Sequence, residues 1–304
     1  MTERTAQEEK RSAALTSVVA AVGLTIFKIV VGVLTNSLGI LAEAAHSGLD
    51  LAAALMTFFA VRVADKPADR EHQFGHGKVE NISALFETLL LLITSGWIIY
   101  EAVHRLTSPE VHVEISAWSF VVMGTSIVVD ISRSRILMRA ARKHNSQALE
   151  ADALHFSTDI WSSSVVILGL VLVLASRMFP ALGWLEKGDA AAALAVAVIV
   201  IFVAGRLGIR SIQALIDAAP ANDAYERILE QVGGMQEVAD VRAVRIRPSG
   251  AGWFVDLHIL MDGTLTLAES HRVTEHVEEQ VQGILPGSDV TVHVEPLEES
   301  GPGS

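Results

Sequence analysis

Residues 38–63 read LGILAEAAHSGLDLAAALMTFFAVRV. This apolar run is long enough to cross the hydrocarbon core of a membrane, which takes roughly 20 residues as a helix. It contains His46 and Asp50, two ionisable residues of a kind that is rare and usually functional inside a span. Positions i and i+4 of a helix share one face, so this imidazole and this carboxylate lie side by side. The run therefore predicts a membrane helix with a functional polar face.

The first 212 residues contain five more apolar runs of similar length. Together the runs predict six transmembrane helices, at Ala13–Leu34, Leu38–Val63, Ile82–Val103, Trp118–Leu137, Leu154–Phe179 and Ala190–Leu207. A soluble bundle of buried helices is the alternative. Lys and Arg concentrate at the start of the chain and in the second and fourth loops, which the positive-inside rule places in the cytoplasm. Both termini are therefore expected there.

Charge divides the chain into two parts. The chain is 51% hydrophobic, yet its formal net charge is −12. Residues 213–304 hold 5 Lys and Arg against 16 Asp and Glu, whereas residues 1–212 are nearly neutral. This acidity argues against nucleic-acid binding, which needs a basic surface. The absence of cysteine excludes disulfides, thiolate metal sites and a cysteine nucleophile.

The acidic part alternates between helix and strand patterns. Helical periodicity covers Asn222–Val232 and Ala268–Leu285, and strand-like runs cover Val238–Arg247, Trp253–Met261 and Val290–Val294. The order αββαβ predicts a small α+β domain with its helices on one face of a three-stranded sheet.

The spacing His-x-x-x-Asp occurs again in the fifth span, as His155 and Asp159. If the two faces meet, two imidazoles and two carboxylates make a four-ligand set that suits tetrahedral zinc. Imidazoles disfavour Mg²⁺ and Ca²⁺, and the lack of sulfur disfavours Cu(I). A buried His–Asp hydrogen bond is the alternative for a single pair, but the repeated spacing favours metal. Asp152, three residues before His155, is a candidate to support that histidine from behind.

The two motifs, the loop Phe74-Gly75-His76-Gly77-Lys78 and the αββαβ tail resemble the cation diffusion facilitator family over roughly residues 12–296. The resemblance implies a homodimeric divalent-cation/proton antiporter of the bacterial inner membrane, with six spans and a ferredoxin-like cytoplasmic domain. Its transport site falls on His46, Asp50, His155 and Asp159. Some bacterial members have Asp first in this quartet; His46 implies Zn²⁺ preference over cadmium and manganese, with Co²⁺ possible.

The resemblance also implies two further metal sites. The loop site comprises Asp69, His72 and His76, although loop residues of this kind also serve solubility alone. The cytoplasmic-domain site comprises His258, His271, His293 and Glu295, with ordinary surface histidines as the alternative. Arg242 stands where the family has another His. A site reduced to one metal, on His271, His293 and Glu295, is therefore expected, with an Arg242 salt bridge replacing the other ion.

Lys78 and Asp217 resemble a charge pair that locks the family's membrane and cytoplasmic parts together, although they are also explained as two unrelated solvated charges. Four regions are expected: an N-terminal cytoplasmic segment (1–12), an all-α transmembrane domain of six helices (13–212), an α+β regulatory and dimerisation domain (213–296) and a disordered tail (297–304).

The expected function is zinc efflux by a secondary transporter that alternately opens to each side of the bilayer. An intramembrane zinc protease would need a motif such as His-Glu-x-x-His and an open coordination position for water, and the sequence has no such motif. A membrane zinc sensor that does not transport would share every ligand, so the sequence leaves that alternative open.

Overall fold

The computed structural model describes residues 3–107, 117–178, 188–220 and 223–297. Six long helices come first in the chain, and each coincides with one of the predicted apolar runs. They are α1 (Glu3–Thr35), α2 (Leu38–Ala64), α3 (Lys78–Thr107), α4 (Ala117–His144), α5 (Gln147–Met178) and α6 (Gly188–Leu215). Several extend past the apolar residues; α1 starts well before Ala13, because its polar beginning is rich in helix-forming Glu, Gln and Lys.

Four helices within the described residues contain a stretch long and apolar enough to cross a membrane: Thr5–Thr35, Leu38–Ala64, Lys78–His104 and Leu194–Leu215. Large apolar side chains on their outer surfaces are exposed, among them Phe59, Trp97 and Phe202. Helix α4 does not meet the same standard, because Asp130, Arg133 and other charged residues interrupt its apolar run. The helical membrane domain is thus confirmed as a class, and its division at residues 13 and 212 stays a prediction.

The chain forms two compact units, residues 1–212 and 213–304. In the first, α1 packs on α2 and α4, α4 packs on α5, and α2 also contacts α5. A buried arginine joins three of these helices. Arg133 of α4 lies with its guanidinium 3.4 Å from the ring centroid of Phe156 on α5, and it donates hydrogen bonds to Ser17 on α1 and to Asp130. This contact fixes the part of α5 that carries His155.

The second unit confirms the predicted αββαβ order. Its elements are α7 (Ala224–Gly233), β1 (Asp240–Ser249), β2 (Gly252–Met261), α8 (Leu267–Ile284) and β3 (Ser288–Pro296). Strand β2 lies between β1, to which it is antiparallel, and β3, to which it is parallel. Apolar residues of both helices and the sheet share one core, which includes Ile228, Val232, Leu257, Ile259, Val277 and Val281.

Helix α8 begins with a capping box, which fixes its start just after the turn. The Thr266 hydroxyl accepts a hydrogen bond from the Glu269 N–H, and the Glu269 carboxylate accepts from the Thr266 side chain and backbone. These two bonds to the carboxylate hold the pKa of Glu269 below its usual range, the side-chain bond being the larger cause. The box satisfies N–H groups that the first turn of a helix leaves without partners.

Candidate metal centre

Helices α2 and α5 bring the two His-x-x-x-Asp motifs together. Nε2 of His155 lies 3.3 Å from an oxygen of Asp50 and 3.6 Å from an oxygen of Asp159. Nε2 of His46 lies 3.8 Å from Asp50 and 4.0 Å from Asp159. Each imidazole therefore faces a carboxylate from both helices. The four residues, called the transport quartet below, bring two nitrogens and two carboxylates to the facing sides of α2 and α5, a donor set that suits tetrahedral zinc.

The quartet is open on one side and closed on the other. The side chain of His155 is only 4% exposed, whereas that of His46 is 41% exposed. Asp50 and Asp159 lie between these extremes, and their ligand atoms lie within 4.8 Å of one another and of the nitrogen of His46. Carboxylates this far from solvent are costly unless they are paired or bind a metal. The arrangement thus favours a cation that approaches from the His46 side.

A glutamate from a third helix lies next to the quartet, on the side of His155. Glu87 of α3 is fully buried, and its carboxylate accepts a hydrogen bond from Thr57 of α2. Its second oxygen lies 4.0 Å from Nδ1 of His155. Asp152, the candidate support for His155, accepts a hydrogen bond from Ser17 of α1, and no hydrogen bond within the described residues joins it to the histidine.

Two further ionisable residues of the apolar runs, Lys28 and Asp130, have ion-pair partners. Lys28 of α1 lies 3.2 Å from Glu43 of α2, and Asp130 lies 3.3 Å from Arg133 one turn later on α4. Sequence alone marks such residues as unusual within apolar runs, but it does not say which partner each one meets. These two pairs involve none of the quartet residues.

The loop after α2 gathers Asp69, His72 and His76. Asp69 lies 3.4 Å from a ring nitrogen of each histidine, and the ring centroids of the two histidines are 4.4 Å apart. The backbone N–H of His72 donates to the Asp69 carboxylate, as does that of Glu71, and these bonds hold the pKa of Asp69 below its usual range. Gly75 has φ +76°, a left-handed conformation that suits glycine and turns the chain back toward Asp69. The loop thus presents an ionised carboxylate and two imidazoles together.

A buried cluster of charges ties the ends of this loop to α1. Lys10 lies 2.6 Å from Asp65, where α2 ends, and 3.0 Å from Glu80, near the start of α3. The hydroxyl of Ser146, just before α5, donates to Glu80 as well. Sequence analysis missed this cluster, since these residues sit at the edges of apolar runs, where solvated charges are ordinary. It fixes the segment that carries the loop site.

In the second unit, strand register brings His258, His293 and Glu295 together. His258 of β2 and His293 of β3 are register partners, with ring centroids 4.8 Å apart. Glu295 lies 3.5 Å from His258 and 3.7 Å from His293. The neighbours of His258, Leu257 and Ile259, point into the core, so the three polar residues lie on the face of the sheet opposite the helices.

The structure does not group His271 with these three. It is on α8, which packs on the core face, and it lies 3.6 Å from Glu275 on its own helix. Arg242 is exposed beside a bulge in β1 and has no ion pair among the residues the structure describes, so the expected salt bridge stays a prediction. The register between β2 and β3 groups His258 with His293 and Glu295 within one chain, and the place of His271 in the site stays a prediction.

The predicted charge pair lies in two different units, with Lys78 in the first and Asp217 in the second. Within its own unit, Asp217 lies 3.9 Å from Arg247 and has φ +60°. The Lys78–Asp217 pair stays a prediction.

Comparison with known proteins covers both units. Residues 14–216 match the cation efflux transmembrane domain, and residues 220–297 match the cation efflux protein cytoplasmic domain. Among similar proteins, the cation-efflux pump FieF of Cronobacter sakazakii is 32% identical over 286 residues, covering 93% of this chain and 92% of the relative. The FieF pump of Yersinia enterocolitica is 31% identical over 290 residues, with 94% and 92% covered.

Similar solved structures cover about a quarter of the chain. The MamB CTD magnetosome protein of Desulfamplus magnetovallimortis is 19% identical, with 26% of this chain and 99% of that chain covered and a TM-score of 0.25. Two structures of CzrB, the second in a Zn form, are 25% and 24% identical, with TM-scores of 0.25 and 0.24. They cover 27% and 28% of this chain, and 100% and 96% of their own.

Proposed function

The chain belongs to the cation diffusion facilitator family of membrane transporters that export metal cations, and from this premise we propose that it exports Zn²⁺ in exchange for protons. It is a transporter and not an enzyme. The observation that carries the proposal is the transport quartet, in which each histidine faces the carboxylates of both α2 and α5.

The donor set supports zinc as the exported ion. Two imidazole nitrogens and two carboxylates match the tetrahedral coordination that zinc takes from protein ligands. Ca²⁺ and Mg²⁺ take oxygen ligands and larger or octahedral shells, so two nitrogens weaken their binding. Co²⁺ accepts the same nitrogen and oxygen donors and is the next candidate.

Proton exchange follows from the chemistry of histidine. Imidazole binds metal only when it is neutral, and metal binding is therefore coupled to proton release. Protons that enter from the outer side would convert the two histidines to cations, which cannot bind the ion and repel it. Rocking of some helices against others around a fixed site would then return the empty quartet to the cytoplasm.

The proposal includes a homodimer in the bacterial inner membrane. It also places both termini in the cytoplasm, as the positive-inside pattern of Lys and Arg indicates. The loop site, at Asp69, His72 and His76, would hold zinc at the cytoplasmic edge. The cytoplasmic site, at His258, His293 and Glu295, would hold regulatory zinc. The acidic second unit would raise the local concentration of cations through its negative field.

Zinc flux in vesicles tests the proposal. The purified protein is reconstituted in vesicles, and a proton gradient directed toward the cytoplasmic face of the protein is imposed. Zinc movement in the opposite direction is followed with a fluorescent chelator trapped in the vesicles. We expect zinc flux that rises with the gradient and collapses when a protonophore removes it. Zinc binding without any flux would favour a sensor over a transporter.

Zinc is also expected to draw the two cytoplasmic units of a dimer together, because it neutralises part of their mutual repulsion. The chain has no cysteine, so a Glu279→Cys substitution on the exposed surface of α8 gives one labelling point per subunit in the full-length protein. Energy transfer between the labels should rise with zinc. His293→Ala should raise the zinc concentration needed for this change by about 10-fold or more. His276→Ala, on the exposed side of α8, is the matched control and should change nothing. If zinc does not change the energy transfer in the labelled protein with His293 intact, the regulatory role is contradicted.

A further inference from the structure

Two buried polar atoms face each other beside the transport quartet without hydrogen-bond partners. They are Nδ1 of His155 and Oε2 of Glu87, 4.0 Å apart. The side chains are 4% and 0% exposed, so water does not satisfy them from outside. Buried donors and acceptors are nearly always paired in folded proteins. A facing donor and acceptor that are both unpaired therefore call for an explanation.

The other polar atom of each group is already engaged. Oε1 of Glu87 accepts a hydrogen bond of 3.2 Å from the hydroxyl of Thr57. Nε2 of His155 points into the quartet, toward Asp50 and Asp159. The two atoms left over are the ring nitrogen that is not needed for metal and the oxygen that Thr57 does not use.

We propose that Glu87 is a positioning residue of the transport quartet, which accepts the Nδ1–H of His155 and so keeps the Nε2 lone pair available for zinc. The inference rests on the proposed transport function. An N–H···O bond has a length of about 2.9 Å, so an approach of about 1 Å completes it. Histidines that bind metal commonly donate the other ring N–H to a carboxylate, which fixes the tautomer and the ring orientation.

The proposed contact brings a helix without metal ligands into the site. Thr57 on α2, Glu87 on α3 and His155 on α5 form one line of contacts across three helices. Sliding of α3 against α5 would lengthen or shorten the bond to Nδ1. The affinity of the quartet for zinc would therefore depend on the position of α3 relative to α5 during the transport cycle.

Zinc titration of the full-length protein tests the role of Glu87. The background carries His72→Ala and His293→Ala, which leave the quartet as the site under measurement. Glu87→Leu removes the acceptor and should weaken zinc binding by about 10–100-fold. Glu87→Gln keeps an acceptor oxygen and nearly the same shape, and should lose less than Glu87→Leu. Ser95→Ala, another buried polar residue on α3, is the matched control and should bind zinc as the background does.

Two readouts separate positioning from mere packing. In a His155→Asn background, Glu87→Leu should cause no further loss of affinity, because Glu87 acts through that histidine. ¹⁵N NMR of labelled histidine, assigned by its loss in His155→Asn, should show the Nδ1–H tautomer in the parent and its decline in Glu87→Leu.

The outcomes also separate this inference from the proposed function. Equal zinc affinity of Glu87→Leu and the parent, an additive loss in the His155→Asn background, or an unchanged tautomer would each overturn the positioning role. None of these results touches the proposed function, which fails if the parent protein itself neither binds zinc at the quartet nor moves it across vesicles.

Discussion

Asp159→Ala and Asp50→Ala are each expected to lower proton-driven zinc flux by more than about 100-fold, since loss of a supporting hydrogen bond alone costs 10–100-fold in metal affinity or activity. Each aspartate faces both histidines of the quartet, within 4.0 Å in every case. Removing one therefore deletes a ligand and also half of the negative charge that offsets the ion. The remaining three ligands leave the cation underneutralised in a setting where unpaired charge is costly.

The measurement is initial zinc flux into reconstituted vesicles at equal protein content, with Asp152→Asn as the matched control. Asp152 is a buried carboxylate on the same helix as Asp159, and the hydrogen bond it accepts comes from Ser17 of α1 and not from a quartet residue. The control should retain most of the flux. If Asp50→Ala or Asp159→Ala transports zinc as the parent does, the quartet is not the transport site.

Most of the fold was predictable because two strong periodicities govern it. Apolar runs of membrane length predicted the six helices, and the helix and strand patterns of residues 222–294 predicted the αββαβ order. Helix ends were less predictable. The polar start of α1 continues the helix, and no hydropathy signal marks where Glu3 begins it. The charged interior of α4 shows the same limit, because a span that packs its polar residues inward, as with Arg133, loses its apolar signature.

The candidate site was predictable to the extent that it follows helix periodicity. His46 with Asp50 and His155 with Asp159 share faces at i and i+4, and the structure brings the two faces together. Glu87 was visible only as an ionisable residue in an apolar run, because its contact with His155 depends on how α3 packs on α5.

The cytoplasmic site shows the same dependence in a sheet. Alternation places His293 and Glu295 on one face of β3, which the sequence reveals. Only the parallel register of β2 and β3 adds His258, and no local pattern encodes that register. Residues joined by tertiary packing or strand register are thus the ones whose partners the sequence alone does not reveal.

We expect metal preference to depend on His46, the most exposed member of the quartet. His46 supplies one nitrogen, whereas an aspartate in its place supplies two oxygens and one more negative charge. Such a site accepts larger coordination shells and holds ions other than zinc with less penalty, since nitrogen donors and four ligands are what zinc prefers. The side chain of His46 is 41% exposed, so a smaller residue fits there without a buried cavity.

His46→Asp is therefore expected to raise cadmium flux relative to zinc flux by about 10-fold, which requires only about 1.4 kcal/mol of differential binding. Parallel flux assays with the two ions at matched free concentrations give the ratio, and His104→Asp, at an exposed position near the end of α3, should leave it unchanged. Comparable cadmium and zinc flux in the parent would refute zinc preference outright. If the parent prefers zinc and the His46→Asp variant has the same ratio of cadmium flux to zinc flux, the preference comes from the other three ligands. The exchange of nitrogen for oxygen at position 46 would then not change the discrimination between the two ions.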